Sequence, residues 1–213
     1  MKEKPGLRER KKQQTRLAIS QVATRMFIER GFDQVTVAEV AEAAQVSVNT
    51  IFNYFSAKEE LLFDRAEEVI ESPSRIIRER RAGESAVDAL HRAFQQVLKG
   101  ESGLLQGPRI KPFIATIEAS PALKARTRLL LEQTEARLAQ TLSEATGAKP
   151  DEPTARSVAA MIMGLWWMLT QEFQTRVLRG ESDSKLRAAL SRLGERGFEL
   201  LRGGVGDYGT RSK

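Results

Sequence analysis

The chain has 213 residues, enough for one domain or two small ones, each with its own hydrophobic core. It has no cysteine and a single histidine, His91, which excludes disulfides, thiolate chemistry and any multi-histidine metal site within one chain. The formal net charge is +6, which favours a polyanionic partner but is too small to establish one.

The positive charge is concentrated at the start of the chain. Residues 1–16 contain seven Lys and Arg side chains but only two Glu side chains. Such a segment is either a solvated basic tail or an arm that contacts phosphate groups. It lacks the apolar core of a secretion signal, and the longest apolar run, residues 158–169, is too short to cross a bilayer. We therefore expect a cytoplasmic protein that has no membrane partner.

The apolar periodicity is helical almost throughout and predicts an all-α protein. The first helix is expected from about Lys11 to Arg30, ending at Gly31. A second, short helix begins after Thr36, because a Thr followed three residues later by Glu39 is the signature of a capping box.

A turn at Gln45 separates this helix from a third one, which runs from the N-cap Ser47 to about Phe55. Its inward side chains are expected to be Val48, Ile51 and Phe55, with polar side chains on other faces. Two short helices joined by a tight turn, the second of them polar outside, form a helix-turn-helix motif. Such a helix fits the major groove of DNA, where each base pair presents a distinct pattern of donors and acceptors.

A fourth helix is expected to begin at Ser56, with Glu59 completing a second capping box. Its apolar side would consist of Leu61, Leu62, Ala66, Val69 and Ile70. A break is predicted at Pro73, and longer helices follow. These helices are placed at residues 85–99, 104–119, 122–146, 154–179 and 184–202.

Residues 36–62, TVAEVAEAAQVSVNTIFNYFSAKEELL, resemble the DNA-binding domain of TetR-family transcriptional regulators, and residues 23–37 resemble that family's first helix and turn. The most specific part of the likeness is the Tyr-Phe-x-x-Lys-Glu signature at residues 54–59. The chain departs from the family at Gln45, where glycine is usual. A left-handed conformation at a residue other than glycine costs about 1–2 kcal/mol, so we expect either a slightly strained turn or a turn of another type.

The resemblance implies an all-α homodimer whose subunits have an N-terminal three-helix head and a larger helical body. The implied organisation is a basic N-terminal arm at 1–11, a DNA-binding domain at 12–72 that contains the helix-turn-helix at 35–54, a ligand-binding and dimerisation domain at 73–202, and a flexible tail at 203–213. Such a protein would be associated with the nucleoid of a bacterial cell.

The resemblance also implies two sets of DNA-contacting residues. The positions that match contacts to the DNA backbone are Thr36, Ser47, Thr50, Tyr54 and Lys58. The positions that match base-facing residues are Val48, Asn49 and Asn53. Contacts to phosphates fix the register of a protein on DNA, whereas contacts to bases set its sequence preference.

The last two helices carry apolar side chains every three to four residues, which predicts that they pack face to face. These side chains form either a homodimer interface, as a four-helix bundle across a two-fold axis, or the ordinary core of one chain. The candidate interface residues are Ile162, Leu165, Leu169, Phe173, Leu186, Leu190, Leu193 and Gly197.

The body also has side chains suited to enclosing a small molecule. The candidates are His91, Phe94, Arg109, Phe113, Ile117, Met161, Trp166 and Trp167. Aromatic and Met side chains on helices serve packing more often than ligand binding, so this pocket is a hypothesis. Few of these side chains are polar, which favours a mainly apolar effector.

Taken together, the sequence predicts a ligand-responsive, sequence-specific DNA-binding regulator, a repressor that a small effector releases from a palindromic operator. Its partners would be double-stranded DNA, a second copy of the chain and the effector. No catalytic residue, cofactor or metal is expected. An all-helical enzyme is the first alternative, but the chain has no Gly-rich nucleotide loop, nucleophile motif or metal cluster. A helical scaffold that binds only protein is the second, and substitution of Tyr54 and Lys58 would separate it from a DNA-binding protein.

Overall fold

The computed structural model describes residues 6–100, 110–148 and 153–205. All regular structure within these ranges is helical, as predicted, and one 3-10 turn at Lys58–Leu61 follows the third helix. The α-helices are α1 Leu7–Arg30, α2 Val37–Ala43, α3 Val48–Tyr54, α4 Ala66–Arg78, α5 Ala86–Lys99, α6 Ile110–Ala119, α7 Pro121–Thr146, α8 Pro153–Leu178 and α9 Asp183–Val205. None of these helices is both long enough and apolar enough to cross a membrane.

The chain folds into two compact units. The first consists of residues 6–67 together with 115–126, and the second contains the remaining described residues. In the first unit, α1, α2 and α3 enclose a core in which Phe27, Val40, Ile51 and Phe55 are almost completely buried. Each such side chain contributes roughly 1.5–3 kcal/mol by leaving water, and this burial holds the short helices in place.

The second unit is built around α9, which packs against both α5 and α8. Two glycines of α9 allow this close approach. A Cβ atom at Gly194 would lie 2.2 Å from the ring of Phe94 on α5, and one at Gly197 would lie 2.2 Å from Leu165 on α8. The core therefore depends on the absence of side chains at two positions of α9.

The helix boundaries differ from the predicted ones mainly at α1, α4 and α9. The fourth helix, expected to begin at Ser56, begins only at Ala66, after the 3-10 turn. α1 begins at Leu7 instead of Lys11, so part of the predicted basic arm lies on a helix. α4 continues through Pro73, because the buried Ser74 and Ile77 hold its second half in the core and Ser74 Oγ donates to the carbonyl of Arg137 at 3.3 Å. α9 continues past residue 202 to Val205.

The second predicted capping box is wrong. The backbone N–H and hydroxyl of Ser56 both donate to the carboxylate of Glu60, at 2.8 and 2.9 Å, and not to that of Glu59. The reason is that the 3-10 turn at residues 58–61 has Ala57, not Ser56, as its N-cap, so its third residue is Glu60. Val69, placed on the apolar side, is exposed.

Candidate nucleic-acid interface

The start of α2 is fixed by the predicted capping box. Thr36 Oγ1 accepts from the N–H of Glu39 at 3.2 Å, and the carboxylate of Glu39 accepts from the N–H of Thr36 at 2.7 Å. Arg30, the last residue of α1, donates to the same carboxylate at 2.5 Å. These bonds, led by the one from the Thr36 backbone, lower the pKa of Glu39 to about 2. The carboxylate therefore joins the end of α1 to the beginning of α2.

The turn after α2 has the left-handed residue that the sequence indicated. Gln45 has φ of 56° and is the one residue other than glycine with positive φ in the described part of the chain. Its N–H donates to the carbonyl of Glu42 at 3.0 Å, and the N–H of Val46 donates to that of Ala41 at 2.9 Å. This pair of bonds is a Schellman motif, which places the left-handed residue directly after the C-cap. A tight turn therefore leads into α3.

Hydrogen bonds hold both ends of α3. At its start, Ser47 Oγ accepts from the N–H of Thr50 at 3.0 Å, and the two hydroxyl oxygens are 2.8 Å apart. At its end, the guanidinium of Arg16 on α1 donates to the carbonyl of Tyr54 at 2.5 Å and lies 4.5 Å from the ring centroid of Phe55. From the sequence, Arg16 is only one of the cations of the basic segment at residues 1–16. Tyr54 is 38 residues away from Arg16 in the chain, so no local sequence pattern predicts this contact.

The buried side of α3 is formed by Ile51 and Phe55, as predicted, but Val48 is 40% exposed. The expectation that Val48 points inward is therefore wrong. The core covers the second half of the helix and does not reach its first turn. The exposed side carries Val48 and, beside it, Asn49 and Asn53, the three residues that the resemblance assigned to base contacts.

Phe52, which is not among the predicted contact residues, is 52% exposed on the same side of α3. Its spacing could have revealed it, because a residue four positions after Val48 lies on the same helix face. The exposed side of α3 thus has two strips of side chains. We call Val48 and Phe52 the apolar strip, and Asn49 and Asn53 the amide strip.

The side chain of Lys58 packs against the first unit and does not extend into solvent. Its Nζ donates to the carbonyl of Phe32 at 2.6 Å and lies 4.2 Å from the ring centroid of Phe32 and 5.7 Å from that of Phe27. Partial burial lowers the pKa of Lys58, against the opposing effect of Asp33 and other carboxylates. Of the residues matched to backbone contacts, Thr36 and Ser47 are exposed, whereas Thr50, Tyr54 and Lys58 are half-buried.

Most of the predicted pocket residues of the body are not brought together. His91 is buried, with Nδ1 accepting from Arg202 at 2.5 Å and Nε2 facing Glu195 Oε1 at 3.1 Å, and its ring stacks on Phe198. Both ring nitrogens are therefore engaged by α9. Met161 and Trp167 are exposed on α8.

The other predicted pocket residues are dispersed. Ile117 belongs to the first unit, Phe113 is half-buried on α6, and Arg109 lies outside the described residues. Phe94 and Trp166 do share a cavity in the second unit. It measures about 80 Å³, and its other lining residues are Val97, Leu169, Thr170, Phe173 and Leu190.

A larger cavity of about 540 Å³ lies along the second half of α7. Its lining includes the carboxylates of Glu132, Glu135 and Glu144 and the guanidinium of Arg156. This charged lining does not match the mainly apolar effector that the sequence predicts.

The predicted interface residues also pack differently from the expectation. Ile162, Leu169, Leu186 and Leu190 are buried inside a single chain, and Leu165 lies against Gly197. These side chains form the intramolecular core, which was the alternative interpretation, because the same spacing serves either purpose. The exposed apolar side chains of α8 are Met161, Trp166, Trp167 and Met168.

Comparison with known proteins connects both units to one family. Residues 19–64 match the family model described as bacterial regulatory proteins, tetR family, and residues 84–198 match the MftR C-terminal domain, a TetR-type domain. The chain is 29% identical to the HTH-type transcriptional regulator TcmR of Streptomyces glaucescens over 203 residues, which is 93% of this chain and 87% of TcmR.

Solved structures share the fold at lower sequence identity. GusR of Salmonella enterica is 19% identical with a TM-score of 0.54, covering 89% of this chain and 94% of GusR. FadR of Bacillus subtilis, solved in complex with stearoyl-CoA, is 22% identical with a TM-score of 0.50, covering 88% of this chain and 98% of FadR. Since one family model matches the helix-turn-helix and another spans more than half of the chain, the protein belongs to the TetR family of helix-turn-helix transcriptional regulators and is not an enzyme.

Proposed function

We propose that this regulator is a repressor that binds a palindromic operator as a homodimer and leaves it when a small, mainly apolar effector binds the body. The observation that carries the proposal is the exposed side of α3. Amide and apolar side chains project there from a short helix whose two ends are held by Ser47 and Arg16. A rigid helix with an uncovered polar face is suited to the major groove.

In this proposal, Asn49, Asn53 and Val48 face the bases, because they are the exposed side chains of α3 that match base-facing positions. An amide can bind N7 and N6 of adenine in a bidentate manner. Thr36, Ser47, Thr50 and Tyr54 supply hydroxyl groups to phosphates. Lys58 would join them by exchanging the carbonyl of Phe32 for a phosphate oxygen.

The homodimer would use the outward face of α8. Met161, Gly164 and Met168 follow one another at helical spacing on that face and are exposed, and a Cβ atom at Gly164 would meet no atom within 4 Å. Exposed apolar side chains that share a helix face favour burial against a second protein surface. Two-fold symmetry would then present two α3 helices to half-sites about one DNA turn apart. Binding to the chromosome would locate the protein at the nucleoid.

The effector would bind at the apolar cavity beside Phe94 and Trp166. Its volume of about 80 Å³ is well below the roughly 300–1,000 Å³ of typical ligand pockets. Binding would therefore require a conformation in which this cavity is wider, and the effector would shift the population towards it. If that conformation binds the operator less tightly, the effector releases the DNA.

Selection of bound sites from random duplex DNA tests the DNA-binding part. We expect the wild-type chain to enrich a palindrome and Asn53→Ala to lose preference at one symmetric pair of positions, by about 1–3 kcal/mol. Gln21→Ala, which truncates an exposed amide on α1, is the matched control and should select the wild-type site.

Affinity should fall steeply with salt, because phosphate contacts release counterions. Absence of an enriched sequence, or a flat salt response, contradicts the proposal.

Release of the selected operator by a compound panel tests the effector. The panel pairs apolar compounds, such as fatty acids of increasing length, with polar metabolites of similar mass. We expect apolar members to release the DNA, and Thr170→Leu, which adds apolar volume to the lining of the cavity, to weaken that release without changing DNA affinity in the absence of compound. A promoter carrying the operator should be less active when the protein is present. Higher activity would indicate an activator.

A further inference from the structure

Phe52 is the exposed side chain of α3 that the predicted base contacts leave unexplained. Phe52 is half exposed, whereas Phe27, Phe32 and Phe55 of the same unit are buried. Val48 lies four residues before Phe52, so the two side chains are neighbours on the helix surface. Both residues lie next to Asn49 or Asn53 in the chain, which places the amide strip about 100° around the helix. A reading helix thus presents apolar carbon alongside hydrogen-bonding groups.

The major groove contains one kind of apolar group in unmodified DNA, the C5 methyl of thymine. Adenine in the same base pair offers N7 and N6, which an amide can bind. An apolar strip beside an amide strip therefore matches the two bases of A·T pairs. Guanine offers two acceptors instead, which suit an Arg or Lys side chain. The exposed side of α3 contains neither.

We infer that Phe52, together with Val48, is a specificity-determining residue that contacts thymine methyl groups, and that each operator half-site has A·T pairs where α3 enters the groove. This inference rests on the proposed placement of α3 in the major groove. It assigns a readout role to a residue outside the set that the resemblance implies, and it predicts the base composition at the centre of the half-site.

The test replaces thymine by deoxyuridine, which removes only the C5 methyl. The probe is the duplex that wild-type protein enriches from random DNA, synthesised with one thymine at a time replaced symmetrically in both half-sites. Removing one methyl contact should weaken binding about fourfold, because a buried methyl group is worth roughly that factor. We expect one or two positions per half-site to show this loss with the wild-type protein. The position that Phe52 reads should lose the effect in Phe52→Ala.

Two control variants make the result specific. Val69→Ala truncates an apolar side chain on α4 that is similarly exposed, and it should retain the full deoxyuridine effect. Val48→Ala should reduce the effect at a position next to the one that Phe52 reads, which provides a second variant if Phe52→Ala binds too weakly to measure. Circular dichroism checks that each variant is folded.

The outcomes separate this inference from the proposed function. If the wild-type protein enriches a sequence but no deoxyuridine substitution weakens binding, methyl readout is wrong and operator binding stands. If the effect persists unchanged in both Phe52→Ala and Val48→Ala, the methyl groups are read by other residues and the assignment to the apolar strip is wrong. If no sequence is enriched, the proposed function and this inference fail together.

Discussion

Glu39 is the residue whose ionisation most directly affects the helix-turn-helix. Its carboxylate accepts hydrogen bonds from Thr36 and Arg30, and its pKa is about 2 compared with an ordinary 4.5. A folded-state pKa below the unfolded value means that the ionised group stabilises the fold above pH 4.5. This contribution is lost as the pH falls from 4.5 towards 2. We predict that Glu39→Gln reduces the acid sensitivity of the first unit over that range.

The two tryptophans allow this loss to be assigned to one unit. Trp166 and Trp167 both lie on α8 in the second unit, so their fluorescence follows that unit, whereas far-UV circular dichroism follows the helices of both. Unfolding of the first unit is the transition that circular dichroism detects and tryptophan fluorescence does not. Its urea midpoint should be compared at about pH 6.5 and about pH 3. Glu42→Gln removes an equal charge from α2 and should retain the wild-type acid sensitivity. An unchanged pH dependence in Glu39→Gln would contradict the prediction.

Gln45 provides a second prediction at the scale of one residue. Its φ of 56° lies in the left-handed region, which costs a residue with a Cβ about 1–2 kcal/mol, and its side chain is exposed. Gln45→Gly should therefore raise the free energy of unfolding of the first unit by about 1 kcal/mol. The same change at Glu42, inside α2, should lower it by about 1 kcal/mol, because glycine destabilises a helix interior. If Gln45→Gly does not stabilise the unit, the turn is unstrained.

Single residues were predictable from the sequence where their partners are local. The bonds of Thr36 with Glu39 and of Ser47 with Thr50 join residues three apart, and the residue types alone indicate them. The bonds of Arg16 to Tyr54 and of Lys58 to Phe32 join residues 38 and 26 apart. Only the packing of α1 against the following segments brings those atoms together, so no sequence spacing could indicate them.

At the scale of helices, the contact of α5 with α9 depends on a glycine. Replacing glycine by alanine inside a helix normally stabilises it by about 1 kcal/mol. At Gly194 we predict the opposite, a loss of about 1–3 kcal/mol, because the new Cβ would lie 2.2 Å from the ring of Phe94. Urea denaturation followed by tryptophan fluorescence measures the effect in the unit concerned.

A matched substitution and a double mutant check the cause of that loss. Gly203 lies on the same helix, and a Cβ atom added there would meet no atom within 4 Å, so Gly203→Ala should not destabilise the unit. Adding Phe94→Leu to Gly194→Ala should recover part of the loss, because the smaller side chain makes room for the methyl group. A loss that is simply the sum of the two single effects would exclude this contact as the reason.

Helix positions were largely predictable because apolar periodicity and Gly or Pro breaks are strong local signals. The exceptions have tertiary causes. Pro73 was expected to end a helix, but the burial of Ser74 and Ile77 keeps α4 continuous. His91 was considered as a ligand contact, but Arg202 and Glu195 engage both its ring nitrogens. Neither partner could be inferred from the residues around His91.

For the whole molecule, apolar spacing was insufficient to separate a subunit interface from a core. The side chains predicted to form the interface recur every three to four residues, and so do those of any helix packed within one chain. The structure assigns Ile162, Leu169, Leu186 and Leu190 to the core of one chain. An interface on α8 would then have to use the side that this core leaves uncovered.

Substitutions on that uncovered side test the proposed dimer. Met161 is 50% exposed, and Met168 lies two turns further along the same face. A charge buried between two copies is strongly unfavourable, so Met161→Glu with Met168→Glu should convert a dimer into a monomer in sedimentation equilibrium. Val69→Glu adds a charge at an exposed apolar position on α4 and should leave the dimer intact. The double variant should also lose affinity for the full palindrome while binding a single half-site as the wild-type monomer would. If the double variant still sediments as a dimer, the dimer interface does not lie on this face of α8.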